Sequence, residues 1–172
     1  EWDAEAAEKV GYEHFMIKEI HEQPKAVADT LNSVVKDGVI DLSEVGLSEE
    51  EIKGISQIYI VACGSAYHVG VAAQYVLEDL ARIPVRVELA SEFRYRNPIL
   101  DPNGLVIIIS QSGETADSLA ALRESKKQGV KTLGIVNVIG SSIAREADNV
   151  FYTLAGPEIA VATTKAYSTQ LI

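Results

Sequence analysis

Residues 105–115 read Leu-Val-Ile-Ile-Ile-Ser-Gln-Ser-Gly-Glu-Thr, an apolar and β-branched run that passes directly into a small polar loop. A short apolar run that ends in turn-forming residues is typical of a strand buried on both faces, as the strands of a parallel sheet are. Ligands of open parallel sheets bind at the carboxyl ends of the strands. This stretch therefore predicts an α/β fold with a binding crevice at the loop after residue 109.

Runs of the same character recur along the chain and alternate with helical patterns. The predicted strands cover residues 57–62, 85–90, 105–110, 131–136 and 149–154. One helix between the first two strands is marked by an apolar face, made by Val69, Ala72, Ala73, Val76, Leu77 and Leu80. Another, carrying Leu119 and Leu122, is expected to end near Gly129. This alternation predicts a three-layer α/β/α sandwich around a parallel sheet.

The N-terminal third of the chain has a different pattern. The first 36 residues are expected to be helical, since Met16, Ile20, Val27, Leu31 and Val34 recur at helical spacing. Pro24 is expected to divide this stretch into two helices, at the first position of the second. Residues 37–56 are expected to be a linker with a short helix that Ser48 caps. We therefore divide the chain into a helical segment and linker, 1–56, and an α/β domain, 57–172.

Composition narrows the class of protein. The chain has 15 basic and 25 acidic residues and a net charge of −10, which argues against a nucleic-acid partner. Its apolar runs are too short to cross a bilayer, so no membrane partner is expected. Cys63 is the only cysteine, which fits a reducing compartment, and we expect a cytoplasmic protein. The three histidines lack metal-ligand spacing, and we expect neither a metal nor another cofactor.

The loop at residues 110–115 has the parts that an anion site needs. Ser110, Ser112 and Thr115 offer hydroxyl donors, and Gln111 offers an amide donor. The helix that follows adds free N–H groups and the positive end of its dipole, so no lysine or arginine is required. Glu114 would repel a phosphate unless its side chain turns away. The alternative is that these residues only cap a helix after a strand.

Two other segments are candidates for the same crevice. Cys63-Gly64-Ser65-Ala66 follows the first strand, and its loop would meet residues 110–115 if the strand order is 2-1-3-4-5. Cys63 is either a nucleophile or, more in keeping with a lone thiol, a small packed residue. Residues 158–165 either close over a ligand or begin the last helix with Thr163 as its cap, and Lys165 either contacts substrate or is solvated.

The chain is expected to be a piece of a longer protein. Residues 163–172 read as the opening of a helix, and the sequence does not begin with methionine.

Several stretches, which together span nearly the whole chain, resemble the sugar isomerase (SIS) domain family. The matching stretches are residues 14–20 with Gln23-Pro24, 62–65, 92–95, 109–117, Gly140-Ser141-Ser142 and 158–166. The chain most resembles the first SIS domain of the branch that aminates and isomerises fructose 6-phosphate.

This resemblance implies a five-stranded parallel sheet in flavodoxin-like order and a sugar-phosphate ligand. It implies phosphate-binding roles for Ser65, Ser110, Gln111, Ser112 and Thr115. It implies that the sugar is lined by Cys63, Gly64, Val161, Ala162 and Thr163. Ala66 stands where many members have a serine that touches the sugar.

The resemblance also implies a reaction and partners. Ammonia released from glutamine in a separate glutaminase domain adds to fructose 6-phosphate, and isomerisation yields glucosamine 6-phosphate. The acid, base and lysine of that reaction come from a second SIS domain and the C-terminal tail, so no catalytic residue is expected in this chain. A homodimer is expected. Two alternatives stay open: a regulator that senses a sugar phosphate, and a phosphosugar isomerase or deaminase.

Overall fold

The computed structural model describes residues 8–172, so the part of the helical prediction that falls on residues 1–7 lies outside the described residues. The chain forms two compact units. One contains the described residues up to Asp41 together with Thr153–Ile172, and the other contains Leu42–Tyr152. These are packing units, and the predicted domain boundary after residue 56 stays a prediction.

The elements follow one another in the alternation that the sequence predicts. In chain order they are α1 (Phe15–Val34), β1 (Val35–Lys36), β2 (Val39–Ile40), a 3-10 turn (Ser43–Val45), α2 (Glu49–Lys53), β3 (Gln57–Ala62), α3 (Ser65–Ala81), β4 (Val85–Leu89), α4 (Ala90–Tyr95), β5 (Gly104–Ser110), α5 (Ala116–Lys127), β6 (Lys131–Val136), α6 (Ser142–Glu146), β7 (Asn149–Tyr152) and α7 (Lys165–Gln170).

The main sheet has five parallel strands in the order β4-β3-β5-β6-β7. This is the flavodoxin-like order, and it confirms the predicted fold class. The order of the strands reverses at β3, because β4 lies on one side of it and β5 on the other. Ala62 at the end of β3 pairs in register with Ile109 of β5. The loops that follow these two strands therefore leave the sheet at the same level.

Helices cover both faces of this sheet. Connections between parallel strands are almost always right-handed, and the connection from β3 to β4 crosses the sheet in the opposite direction to the others. α3 therefore lies on one face, and α4, α5 and α6 lie on the other, where α5 packs against both of its neighbours. The core between the layers includes fully buried Phe93, Leu122 and Ile143.

The short helix α2 begins as predicted. The Ser48 hydroxyl accepts a hydrogen bond from the Glu51 backbone N–H at 3.2 Å, and the Glu51 carboxylate accepts one from the Ser48 backbone N–H at 2.8 Å. This reciprocal pair is a capping box, which satisfies two backbone donors at a helix start. Lys131 at the start of β6 adds an ion pair to Glu51.

The prediction for the N-terminal helix was wrong in two respects. The helix begins at Phe15, so residues 8–14 are not helical, and Pro24 lies inside one continuous helix. Pro24 has no N–H to donate to the carbonyl of Ile20, four residues earlier. The Gln23 amide donates to that carbonyl instead, at 3.3 Å. A side chain next to the proline thus replaces the missing backbone donor.

The linker after α1 contains a two-stranded hairpin that the sequence reading missed. β1 and β2 pair antiparallel around Asp37 and Gly38, both of which have a positive φ. Asp-Gly is a favoured pair for this kind of two-residue turn. Each strand has only two residues, which is too short for alternation to reveal a strand.

Candidate functional site

The predicted crevice lies at the carboxyl ends of β3 and β5, where the strand order reverses. Residues 63–66 leave β3 and lead into α3, and residues 111–115 leave β5 and lead into α5. The Cys63 thiol lies 3.8 Å from the Ser118 hydroxyl in the first turn of α5. The α/β unit thus brings Cys63, Gly64 and Ser65 to the same edge of the sheet as the second loop.

Hydroxyl groups inside the second loop bond to one another and to the backbone. The hydroxyls of Ser110 and Thr115 lie 2.9 Å apart, and the Ser110 hydroxyl accepts from the Gly113 N–H at 3.1 Å. The Ser112 hydroxyl accepts from the Glu114 N–H at 3.2 Å. These bonds fold residues 110–115 into a tight turn, and Gly113 takes a positive φ of 67° within it.

Helix capping does not account for these hydroxyl groups. Thr115 occupies the N-cap position of α5, but its side chain makes no capping bond and is paired with Ser110. The first N–H groups of a helix have no acceptor within it. The start of α5, a helix of 12 residues, therefore presents backbone donors beside the loop.

A second helix begins at the same edge of the sheet. α3 has 17 residues and starts at Ser65, with Gly64 as its N-cap and no acidic residue in its first turn. The positive dipole ends of α3 and α5 both follow strands that lie side by side. Two helix N-termini at one crevice favour an anionic ligand.

The acidic residues beside the loop are paired. Asp117, in the first turn of α5, accepts a hydrogen bond from Arg94 at 2.6 Å, and this bond raises the pKa of Arg94 above its ordinary value. The Glu114 carboxylate accepts from the Ser142 N–H at the start of α6, at 2.7 Å. Hydrogen bonding from Ser142, with a smaller effect of the Arg145 charge, lowers the pKa of Glu114. Glu114 is therefore engaged by α6, as its position in an anion loop requires.

Residues 158–165 belong to the other unit, whose contacts correct two predictions. The Thr163 hydroxyl donates to Glu158 at 2.8 Å, and the cap of α7 is Thr164, not Thr163. Lys165 is buried and donates to Glu22 at 2.5 Å, so the solvated reading of this lysine was wrong. The sequence could not show this pair, because its members lie 143 positions apart.

The backbone just before the predicted sugar-lining residues 161–163 is held by hydrogen bonds to a buried side chain. Val161 is fully exposed, and the backbone before it is held by Glu19, whose carboxylate accepts from the Ile159 and Ala160 N–H groups at 2.6 and 3.2 Å. Glu19 is itself buried in α1. The predicted contacts of Val161, Ala162 and Thr163 with a sugar stay predictions.

Sequence reasoning missed Arg94, Asp117 and Ser118 at this crevice. Ser118 follows the loop by one helical turn, and a strand-loop-helix pattern could have signalled its position. Arg94 is part of the stretch Glu92-Phe93-Arg94-Tyr95 that carries the family resemblance, but sequence reasoning assigned it no role in the crevice. Its partner, 23 positions away, depends on the packing of α4 against α5.

Residues 8–172 lack two further features, a cluster of metal ligands and a membrane-spanning helix. Across that range no three His, Cys, Asp or Glu side chains lie together in a way that could hold a metal ion. None of the helices described there combines the length and the apolar character needed to span a membrane.

The family of the chain follows from the comparison of its sequence with known domains. Residues 51–172 match the SIS domain, which is more than half of the chain. The strand order and the crevice described above agree with that match. The chain belongs to the SIS domain family.

Among the proteins most similar to this chain are enzymes of one activity. The chain is 61% identical to the glutamine–fructose-6-phosphate aminotransferase (isomerizing) of Clostridium tetani, over 99% of the chain and 28% of the relative. It is 62% identical, with the same coverage, to the enzyme of that name from Caldanaerobacter subterraneus. The C-terminal domain of glucosamine-fructose-6-phosphate aminotransferase from Francisella tularensis superposes with a TM-score of 0.90 and 48% identity, over 95% of this chain and 46% of that one. The chain thus spans little more than a quarter of the length of these curated relatives.

Proposed function

We propose that this chain is the sugar-phosphate-binding part of a glutamine–fructose-6-phosphate aminotransferase (isomerizing), also called glucosamine-6-phosphate synthase. The whole protein would convert fructose 6-phosphate and glutamine-derived ammonia into glucosamine 6-phosphate. The observation that carries the proposal is the turn at residues 110–115, whose hydroxyl groups stand at the free N-terminus of α5. The phosphate would be held by Ser65, Ser110, Gln111, Ser112 and Thr115.

The chemistry of the loop supports a phosphate over other anions. A phosphate has three oxygens that accept hydrogen bonds, and hydroxyl groups can rotate to donate to them. The Ser110–Thr115 contact and the Ser112–Glu114 contact would be exchanged for contacts to the ligand. Backbone N–H groups at the start of α5 would supply the rest of the grip without a cationic side chain.

The whole enzyme is favoured over the alternatives by sequence identity. The relatives at about 60% identity carry the aminotransferase name, and they match almost the entire chain. The sugar isomerase domain of the RpiR transcription factor from Sphaerobacter thermophilus has a TM-score of 0.68 at 20% identity, a likeness that concerns the fold alone. We propose that the second SIS domain and the C-terminal tail of the parent protein supply the reacting groups, and that its glutaminase domain supplies the ammonia.

The phosphate site can be tested by calorimetry on this chain. Fructose 6-phosphate and glucosamine 6-phosphate would be titrated into the unaltered chain and into Ser112→Ala and Thr115→Ala. Each variant should bind more weakly by roughly 1–3 kcal/mol, the range for a lost hydrogen bond to a charged group. Ser56→Ala is the matched control, because Ser56 is exposed and precedes the opposite end of β3.

Two outcomes would contradict a phosphate site on this loop. Equal binding by Ser112→Ala, Thr115→Ala and the control would move the phosphate away from this loop. Binding of unphosphorylated fructose as tightly as fructose 6-phosphate would contradict a phosphate site altogether.

We also propose a cytoplasmic homodimer as the working form of the parent protein. Self-association is supported by α1, where Met16, Ile20 and Leu31 form an exposed apolar stripe in the unit to which α1 belongs. A cytoplasmic location is supported by the single free cysteine and by the metabolic class of the relatives.

A further inference from the structure

The start of α6 is joined to the proposed phosphate loop by backbone hydrogen bonds. The Ile143 N–H donates to the Gly113 carbonyl at 3.0 Å, and the Asn137 N–H donates to the Gln111 carbonyl at 3.1 Å. The two segments are also in close contact, because a Cβ atom added to Gly113 would lie 2.1 Å from the Ser141 hydroxyl. Residues 137–143 thus form a backing for the loop, which we call the α6 bracket.

Glu114 takes the place of the usual cap of α6. Ser141 occupies the N-cap position, but its hydroxyl makes no capping bond and, among the described residues, is buried without a hydrogen-bond partner. The Glu114 carboxylate, and not the Ser141 hydroxyl, accepts a hydrogen bond at this helix start, from the Ser142 N–H. A charged acceptor at a helix start makes a stronger bond than a neutral one. The lowered pKa of Glu114 is consistent with this role.

The helix α6 continues the α6 bracket and is tied at its far end to α5, the helix that would receive the phosphate. Arg123 of α5 donates two hydrogen bonds to Glu146 of α6, at 2.8 and 2.7 Å. Lys126 of α5 donates to the Glu146 carbonyl at 2.6 Å. The loop is thus held between α5, which continues it, and α6, which is tied to α5.

We propose that Glu114 is a positioning residue, which fixes the phosphate loop by capping α6 and does not touch the ligand itself. The proposal rests on the function proposed above. It explains why an acidic side chain is present in an anion loop: the carboxylate is used as a backbone acceptor by α6. The Gly140-Ser141-Ser142 stretch then serves as the receiving side of the α6 bracket.

Glu114→Gln and Glu114→Ala separate positioning from charge. Glutamine keeps an oxygen that can accept the Ser142 N–H, whereas alanine removes it. In the full-length protein that contains this chain, Glu114→Ala should bind fructose 6-phosphate about tenfold more weakly, and Glu114→Gln should stay within about twofold of the unaltered protein. Glu49→Ala is the control, since it removes an exposed carboxylate from α2.

Hydrogen exchange gives a second measurement that needs no ligand. Peptides covering residues 138–146 should exchange faster in Glu114→Ala than in the unaltered protein, with protection restored in Glu114→Gln. Tighter or equal sugar-phosphate binding by Glu114→Ala would overturn the proposal, even if its melting temperature falls. If the unaltered protein fails to bind fructose 6-phosphate, the proposed function fails. Hydrogen exchange tests the α6 bracket separately: if residues 138–146 exchange equally fast in Glu114→Ala and in the unaltered protein, Glu114 does not hold the start of α6.

Discussion

At the scale of single residues, Gly113 has two separate features that favour glycine: its backbone conformation and the lack of space for a Cβ atom. Its φ of 67° is costly for any residue with a Cβ atom, and the space where that atom would lie is filled by Ser141. Gly113→Ala should therefore lower the free energy of unfolding by about 2–4 kcal/mol, the sum of a left-handed backbone and an overpacked contact. Urea unfolding of the purified chain measures this loss.

Gly129 is the matched control for that substitution. It has a φ of 75° just after α5, and nothing lies within 4 Å of the position of a Cβ atom. Gly129→Ala should cost about 1–2 kcal/mol, from the backbone alone. Equal losses at Gly113 and Gly129 would show that the contact with Ser141 relaxes at no cost.

The residues of the crevice differ in how far the sequence could predict them. Ser110, Ser112 and Thr115 could be predicted, because a strand end followed by small polar residues is a local pattern. Their partners could not, since the choice between a helix cap and a loop bond depends on the turn geometry. The role of Glu114 depends on α6, which begins 28 positions later at Ser142, so its partner is visible only in the folded chain.

At the scale of elements, α1 depends on the pair Gln23 and Pro24. Pro24→Ala should raise the free energy of unfolding by about 1–3 kcal/mol, because alanine restores the N–H to the Ile20 carbonyl. Gln23→Ala should then cost about 1 kcal/mol more in the unaltered chain than in the Pro24→Ala variant. Thermal or urea unfolding of the unaltered chain, the two single variants and the double variant gives this coupling. Strictly additive effects would mean that the Gln23 amide does not replace the missing donor.

The end of α5, the start of β6 and the turn before β7 are joined by Asp148. Its carboxylate accepts from the Thr132 N–H and hydroxyl, at 3.0 and 2.8 Å, and from Lys126 at 2.8 Å. Burial alone would raise the pKa of Asp148, but Lys126 and Thr132 outweigh it and lower the pKa. The stabilisation is therefore present above the unfolded-state pKa of about 3.9 and is lost as the pH falls through the lower folded value.

Asp148→Asn should remove that stabilisation. At pH 7 the free energy of unfolding should fall by about 1 kcal/mol, a modest value because the ion pair is partly exposed. Below about pH 4 the variant and the unaltered chain should converge in stability as the pH falls through the lowered folded-state pKa of Asp148, because the unaltered chain then loses the charge as well. Asp79→Asn, on the exposed face of α3, is the control. A constant difference from about pH 7 to about pH 3 would contradict this account.

The elements also show where sequence patterns stop being informative. The five strands could be predicted because buried parallel strands are continuous apolar runs. The course of α1 could not, because Pro24 alone predicts a break and the compensating bond of Gln23 is a matter of side-chain geometry. Its apolar residues were a correct sign of a helix, yet buried Glu19 and Thr30 lie on its packed side and make hydrogen bonds to residues 154–160.

At the scale of the whole molecule, the exposed stripe on α1 predicts self-association. Met16, Ile20 and Leu31 are each about two-fifths exposed, at 43%, 38% and 44%, and their spacing places them on one side of the helix. Apolar side chains gathered on one exposed face mark an interaction surface, and homo-oligomers bury such faces against a second copy. We therefore expect the parent protein to be a dimer in solution, with this stripe in the contact.

Ile20→Glu combined with Leu31→Glu should dissociate that dimer. Two buried carboxylates without partners cost several kcal/mol in an interface, whereas on an exposed helix face they cost the fold little. Sedimentation velocity of the full-length protein should show the unaltered form as a dimer and the variant as a monomer, with unchanged helix content by circular dichroism. Asn32→Glu is the control, because Asn32 is exposed but lies about 120° around the helix from Ile20. If the variant remains dimeric, the dimer contact lies on another surface. The stripe would then pack against another part of the parent chain.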